Sequence, residues 1–187
     1  MTFLRELPLA QEAVTLAVRL HAGQHREADG ADFVVHPMEV AALLERSHYP
    51  DHVVAAAVLH DVLENTSEDA ADLEAQFGRE VAQLVESVSD DASIADEEER
   101  KRELLERVRS RGGYSAAVYA ADKVSKVREI RTALAAGVPW DHLEGKLRRH
   151  RESLDMLEAT IPGSRLVELL RFEIEALAEM PPGPDRH

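Results

Sequence analysis

Three places in this chain hold a histidine or an acid where the surrounding residues are apolar. His36 precedes Pro37 at what reads as a helix start. His60-Asp61 ends the unbroken apolar run Val53-Val54-Ala55-Ala56-Ala57-Val58-Leu59. Asp122 lies inside Ala116-Ala117-Val118-Tyr119-Ala120-Ala121-Asp122-Lys123-Val124. A buried carboxylate without a partner is costly, so Asp61 and Asp122 need a metal, a cation or several donors. Two imidazoles and two carboxylates can furnish the inner shell of one divalent ion and leave positions for water and substrate. Such mixed nitrogen and oxygen ligation suits manganese, iron, zinc or another first-row metal better than calcium. Taken singly, each place has a plainer explanation: a helix-start residue, a satisfied buried pair, and an ion pair of Asp122 with Lys123.

The elements that must position these groups are helices. The run before His60 is rich in Ala and Leu and free of Gly and Pro, which predicts a helix, and one that is apolar all round is buried. If it continues, His60 stacks on Glu64 and Asp61 on Asn65, one turn apart. Ala13, Leu16, Ala17 and Leu20 form a stripe ending at His21, which with His25 reads as an exposed helix end. His36-Pro37 opens a helix at a position where the missing N–H costs nothing. Thr66-Ser67-Glu68-Asp69 is a capping signal for a helix that stops at Gly78. The acid-dense stretch Ser89 to Glu99 reads as a solvated loop, and a helix resumes over Lys101 to Arg109. Arg111-Gly112-Gly113 reads as a turn, Ser115 to Leu134 as a long helix, and Trp140 to Ala159 and Ser164 to Ala178 as two more. No strand, internal repeat or interdomain linker is visible, so the expected fold is all-α, a single helical bundle over residues 1–180 with a disordered tail over 181–187.

Composition bounds the partners. The 187 residues carry 22 Lys+Arg against 36 Asp+Glu, a net charge of −14. That argues against nucleic acid and against an anionic membrane surface as partners. An anionic small molecule remains compatible, since a metal and a few local cations reverse the field in a cleft. There is no cysteine and hence no thiolate metal site. No signal peptide or membrane span is read, and a cytoplasmic location is expected.

The order His36, His60-Asp61, Asp122 resembles the HD-domain metal-dependent phosphohydrolases. Within them the chain is similar to the hydrolase domain of the RelA/SpoT family, especially its small stand-alone alarmone hydrolases. The resemblance rests on an ordered set covering roughly residues 10 to 135: Gly23-Gln24-His25-Arg26, Phe33-Val34-Val35-His36-Pro37, Leu59-His60-Asp61-Val62-Leu63-Glu64-Asn65-Thr66, Gln76-Phe77-Gly78, Val88-Ser89-Asp90-Asp91, Glu99-Arg100-Lys101-Arg102 and Ala121-Asp122-Lys123. It implies an all-α HD-domain bundle and one divalent metal ion, manganese, held by His36, His60, Asp61 and Asp122. It implies catalytic roles for Glu64 and Asn65, which stand where the family has a Glu-Asp pair that handles the attacking water. It implies that Arg26 packs on a purine, and that the reaction removes the 3′-diphosphate of guanosine tetra- or pentaphosphate as pyrophosphate, a stringent-response activity.

Three positions depart from the family pattern. Asn65 replaces an acid, Glu27 stands where a cation is usual, and Ser125-Lys126 stands where the family ends in His-Asn or Tyr-Asn. Lys126 would bring a cation to the substrate instead of a neutral amide. These departures keep two alternatives open: an HD phosphohydrolase acting on another nucleotide, and a catalytically weakened module that binds metal and nucleotide. Self-association is also left open. Plainer roles are expected for the rest. Lys123 reads as a surface cation and Arg100-Lys101-Arg102 as a salt-bridged surface, while His48, His52, His142 and His150 have no partner in the motif order.

Overall fold

The computed structural model of the protein describes residue 4 and residues 6–179. Among the described residues ten helices follow one another: α1 Pro8–Leu20, α2 Val35–Arg46, α3 Asp51–Leu59, α4 Val62–Asn65, α5 Ala70–Phe77, α6 Arg79–Val88, α7 Glu97–Arg111, α8 Gly113–Ala135, α9 Asp141–Thr160 and α10 Arg165–Ala178. Extended pairing among the described residues is an isolated bridge between His25 and Asp32. The all-α expectation holds. The tail expected to be disordered, 181–187, lies outside the described residues.

Helix α3 is the axis of the bundle, because every residue from Val53 to Leu59 is sealed from solvent. It packs on α1, α2, α6 and α8, while α9 and α10 close over the other flank of α8. Aliphatic side chains that small let helices approach closely, and fully burying each Val or Leu contributes about 1.5–3 kcal/mol.

The apolar helix does not run through to Asn65 as the sequence suggested. It stops at Leu59, and a single turn resumes at Val62. His60 Nδ1 lies 2.7 Å from the Ala57 carbonyl, the acceptor that the next turn's N–H would need. The His60 carbonyl in turn accepts from Ser89 Oγ at 3.3 Å. Asp61 relaxes to φ −95°, ψ −2°, and the ladder restarts with Asn65 N–H donating to the Asp61 carbonyl at 3.0 Å. The break turns both side chains inward.

A second difference concerns the acidic segment. Helix α7 begins at Glu97, four residues before the expected Lys101, and Asp96 caps it by accepting from Glu99 N–H at 2.8 Å. Three glutamates in the first turn favour the positive end of the helix dipole, so the acids start a helix as much as they solvate a loop. Gly112 alone separates α7 from α8. It and Gly113 hold φ of +58° and +46°, a conformation that glycine adopts without steric cost.

Candidate metal centre and cleft

Four side chains from two helices and one helix break converge. His36 comes from the first turn of α2, His60 and Asp61 from the break after α3, and Asp122 from the middle of α8; all four are buried. His36 Nε2 lies 3.2 Å from His60 Nε2, 3.4 Å from Asp61 Oδ2 and 3.1 Å from Asp122 Oδ1. His60 Nε2 lies 3.2 Å from Asp61 Oδ2 and 3.5 Å from Asp122 Oδ1. Ligand atoms about 2.1 Å from one ion stand about 3.0 Å apart at right angles and about 3.4 Å apart at tetrahedral angles, so these spacings suit a shared cation.

The protonation pattern fits the same cation. His60 Nδ1 faces a carbonyl, which only accepts, so Nδ1 carries the proton and Nε2 offers a lone pair to the cluster. His36 Nδ1 likewise faces Ser125 Oγ at 3.0 Å and Glu129 Oε1 at 3.2 Å, with Nε2 turned inward. Outer partners on the far nitrogen of each imidazole are what metal-bound histidines have. Asp61 Oδ2 is buried and lacks a hydrogen-bond partner, the state expected of an oxygen kept for an ion, while Asp122 Oδ1 is held by the Lys126 ammonium at 3.0 Å. His36, His60 and Asp122 alone place their three ligand atoms within 4.8 Å of one another.

The electrostatics are strongly coupled. Burial opposes charge on His60, but the Asp61 and Asp122 carboxylates outweigh it and hold the imidazole up at about 10. Burial pushes Asp61 upward, and His60, Lys126 and His36 overcome this to keep it far below the usual carboxylate range. Asp122 behaves alike, held down by Lys123 and Lys126 against burial. Positive charge therefore stabilises this pocket, and a divalent ion would displace the imidazole protons.

His36 and Asp61 of the cluster lie on the floor of a cleft of about 1220 Å³. Glu64 and Asn65, Arg26 and Lys126 all line it, as do the departing positions Glu27 and Lys126. Glu64 Oε1 accepts from Asp90 N–H at 2.8 Å; burial first, then the Asp61 charge, raises its pKa. The Asn65 carbonyl accepts from Gln24 Nε2 at 3.0 Å. The Arg26 side chain is mostly buried, pairing with Asp29 and lying 3.6 Å from Glu129. Lys126 Nζ stands 3.0 Å from Asp122 Oδ1.

Several residues differ from their sequence reading. Lys123 is no surface cation: its side chain is 13% exposed, pairs with Asp122 Oδ2 at 2.8 Å and lies 4.2 Å over the Tyr119 ring. His21 is buried rather than exposed, stacked against Phe33 at 4.9 Å and bonded to Gln24 Oε1 at 2.8 Å. The apolar Phe33 twelve positions later is what covers it, and sequence alone does not pair them. His150 enters the cleft from α9; burial and the nearby Lys123 push its pKa down to about 3, so it is neutral. Arg100 and Lys101 do pair with Asp90, at 3.5 and 2.5 Å, yet Lys101 and Arg102 also face the cleft with Lys146 and Arg149. The cations of α9 are spaced like those of any solvated helix face, so their sequence pattern alone does not mark this helix as part of the cleft. Ser125 is fully buried behind the cluster, not in the cleft.

Fold and site together define a metal-dependent hydrolase of the HD type. A model of the HD-domain family matches residues 13–138, and the chain belongs to that family. It is 33% identical over 131 residues to the guanosine-3′,5′-bis(diphosphate) 3′-pyrophosphohydrolase MESH1 of Danio rerio, covering 67% of this chain and 71% of the relative. To the Homo sapiens protein of the same name it is 34% identical over 129 residues, 67% of this chain and 72% of the relative. It is 30% identical over 183 residues to the GTP pyrophosphokinase rsh of Brucella suis, of which it spans 23%. The solved structure of a metazoan ortholog of SpoT that hydrolyses ppGpp superposes with a TM-score of 0.81 at 26% identity, over 92% of this chain and 96% of that one. Among the described residues, no helix is long and apolar enough to cross a membrane.

Proposed function

We propose that this protein hydrolyses guanosine 3′,5′-bis(diphosphate) and its pentaphosphate analogue at the 3′ position, releasing pyrophosphate. The observation that carries the reading is the buried His36, His60, Asp61 and Asp122 cluster, which opens through His36 and Asp61 into a cleft that also holds Lys101, Arg102, Lys126, Lys146 and Arg149. A net charge of −14 would repel such a substrate elsewhere on the surface; in the cleft seven Lys and Arg side chains stand among nine acids, and a bound divalent ion would offset the remaining negative charge. Two relatives named for this reaction align over two thirds of the chain.

His36, His60, Asp61 and Asp122 would hold one divalent ion, and manganese fits their mixed nitrogen and oxygen donors. Bound there, the ion would acidify a water and polarise a phosphate oxygen. Glu64, on the adjoining turn and raised in pKa, takes the proton of the attacking water. The water oxygen bonds to the phosphorus attached to the 3′ oxygen, the bond between that phosphorus and the 3′ oxygen breaks, and the 3′ oxygen receives a proton. Asn65 orients the water by hydrogen bonding. Lys126 and the cations of α7 and α9 receive the phosphates, while Arg26 and the apolar wall of Ile130, Val138 and Leu143 receive the base. A substrate of this kind is met in the cytoplasm, where the reading puts the protein.

The test incubates the purified protein with manganese and ppGpp and measures pyrophosphate. Stoichiometric release of pyrophosphate and GDP is the expected result. No release over a range of divalent metals, with turnover of another nucleotide in a panel, would move the assignment to the second reading, an HD phosphohydrolase of different specificity, which Asn65, Glu27 and Lys126 favour as departures from the family.

A further inference from the structure

Behind the metal cluster, away from the cleft, a continuous chain of hydrogen bonds leads from His36 to the last helix. His36 Nδ1 lies 3.0 Å from Ser125 Oγ on α8. Ser125 Oγ donates to Glu39 Oε2 on α2 at 2.9 Å. Glu39 Oε1 accepts from Arg128 Nη1 at 2.8 Å, one turn along α8 from Ser125. Arg128 Nε donates to Glu173 Oε1 on α10 at 2.6 Å, and Arg131 Nη1 donates to Glu173 Oε2 at 2.5 Å. Ser125 and Glu173 are buried.

The direction of each bond is fixed. A serine has a single hydroxyl proton, and here it goes to a carboxylate, which can only accept. Ser125 Oγ therefore meets His36 as an acceptor, so the Nδ1–H of His36 donates. That leaves Nε2 with its lone pair toward the cluster. Glu39 thus does to His36, through one hydroxyl, what a carboxylate does directly to a metal-bound histidine elsewhere: it sets tautomer and ring orientation and raises basicity. Two arginines hold the carboxylates in turn, and the second carboxylate belongs to α10, which lies outside the 13–138 segment matched by the family.

We propose that Ser125 and Glu39 are positioning residues for His36, and that Arg128 and Glu173 extend this support to α10, so that the terminal helix sets the affinity of the metal site. The rival donor path runs from His36 Nδ1 to Glu129 Oε1, 3.2 Å away, an oxygen that also lies 3.6 Å from Arg26. The proposal rests on the assignment of the metal to His36 and its three neighbours, not on the identity of the nucleotide.

The experiment titrates metal-free full-length protein with zinc or manganese by calorimetry, without substrate. Ser125→Ala is a safe fold because alanine favours helix and removes one atom, and circular dichroism confirms the helix content. Metal affinity should fall about 10–100-fold in S125A, the usual cost of losing an outer partner of a ligand. Ser125→Thr, which keeps the hydroxyl, should restore it. Glu39→Ala should weaken binding by a similar factor, and the S125A/E39A double variant should be no weaker than S125A alone, since groups in series are not additive. Glu173→Gln should weaken binding less, by a few-fold. In the zinc-loaded protein, the exchange-protected Nδ1–H proton resonance of His36 should move in S125A. Additive losses in the double variant would overturn the relay, as would an S125A protein with wild-type affinity beside a weakened Glu129→Gln. Wild-type protein that takes up no metal would overturn the metal assignment and the relay with it.

Discussion

The two walls of the cleft are built on opposite principles. The floor, made by α2, the α3–α4 break and α8, is buried, preorganised and short of solvent: its four candidate ligands are at most a few percent exposed, and the two histidines are bonded from behind. The outer wall, made by α7 and α9, carries long cations that are partly paired with neighbouring acids, such as Arg149 with Glu98 at 3.2 Å. A reaction on a phosphate needs its ion and water fixed within fractions of an ångström, and packing supplies that. Recognition of flexible phosphates needs charge more than rigidity, and a solvated helix face supplies that at little cost to folding. The contrast implies that changes to the floor act on chemistry and changes to the outer wall act on binding.

The largest break in that contrast is a lost ligand. His60→Ala or Asp122→Asn removes transition-state stabilisation of several kcal/mol, so pyrophosphate release should fall about a thousandfold or more and metal content should drop in elemental analysis. Glu64→Gln keeps the metal and removes the proton acceptor. Its kcat should fall about 10²–10⁴-fold with metal content unchanged. On the outer wall, Arg149→Ala should raise KM about tenfold with little change in kcat, and the difference from wild type should shrink at high salt. The smallest effect is expected for Asn65→Asp. A second acid beside Glu64 adds no needed group, so turnover should change less than about tenfold; a large rise would show that the missing acid limits this protein.

The pH profile sharpens the same contrast. Burial and the Asp61 charge raise the pKa of Glu64 above the ordinary glutamate value of 4.5. A raised value means that Glu64 takes up its proton, and stops acting as a base, at a higher pH on the way down. The acid limb of kcat/KM should therefore lie above pH 4.5 and should vanish in E64Q. His150, held down to about 3, should contribute no limb in the neutral range.

The floor was legible in the sequence because its physics is local and unusual. An acid inside an apolar run, at Asp61 and Asp122, announces itself by the cost of burying it, and the resemblance to the HD-domain order of His36, His60-Asp61 and Asp122 joins them into one set. The outer wall was not legible, because Lys146, Arg149 and His150 sit among alternating charges that look like any exposed helix face. Lys123 misled for the opposite reason: one position past a buried acid, it is drawn inward by its charge and by Tyr119. The helix break at His60 was hidden because it depends on a side chain capturing the Ala57 carbonyl, which propensity does not record. The early start of α7 follows from Asp96 as cap, a signal present in the sequence but masked by the density of acids around it. The relay behind His36 joins positions 36, 39, 125, 128 and 173, and such long-range pairing becomes visible only when α2, α8 and α10 are packed.

In the proposed reaction the floor delivers water to the 3′-diphosphate of a guanosine nucleotide in a metal-dependent way. The direct measurement is pyrophosphate release from ppGpp by chelator-treated protein, before and after manganese is restored, with D122N alongside. No release is expected before, stoichiometric pyrophosphate and GDP after, and none from D122N under either condition. Equal release by the chelated protein, or by D122N with manganese, would contradict it.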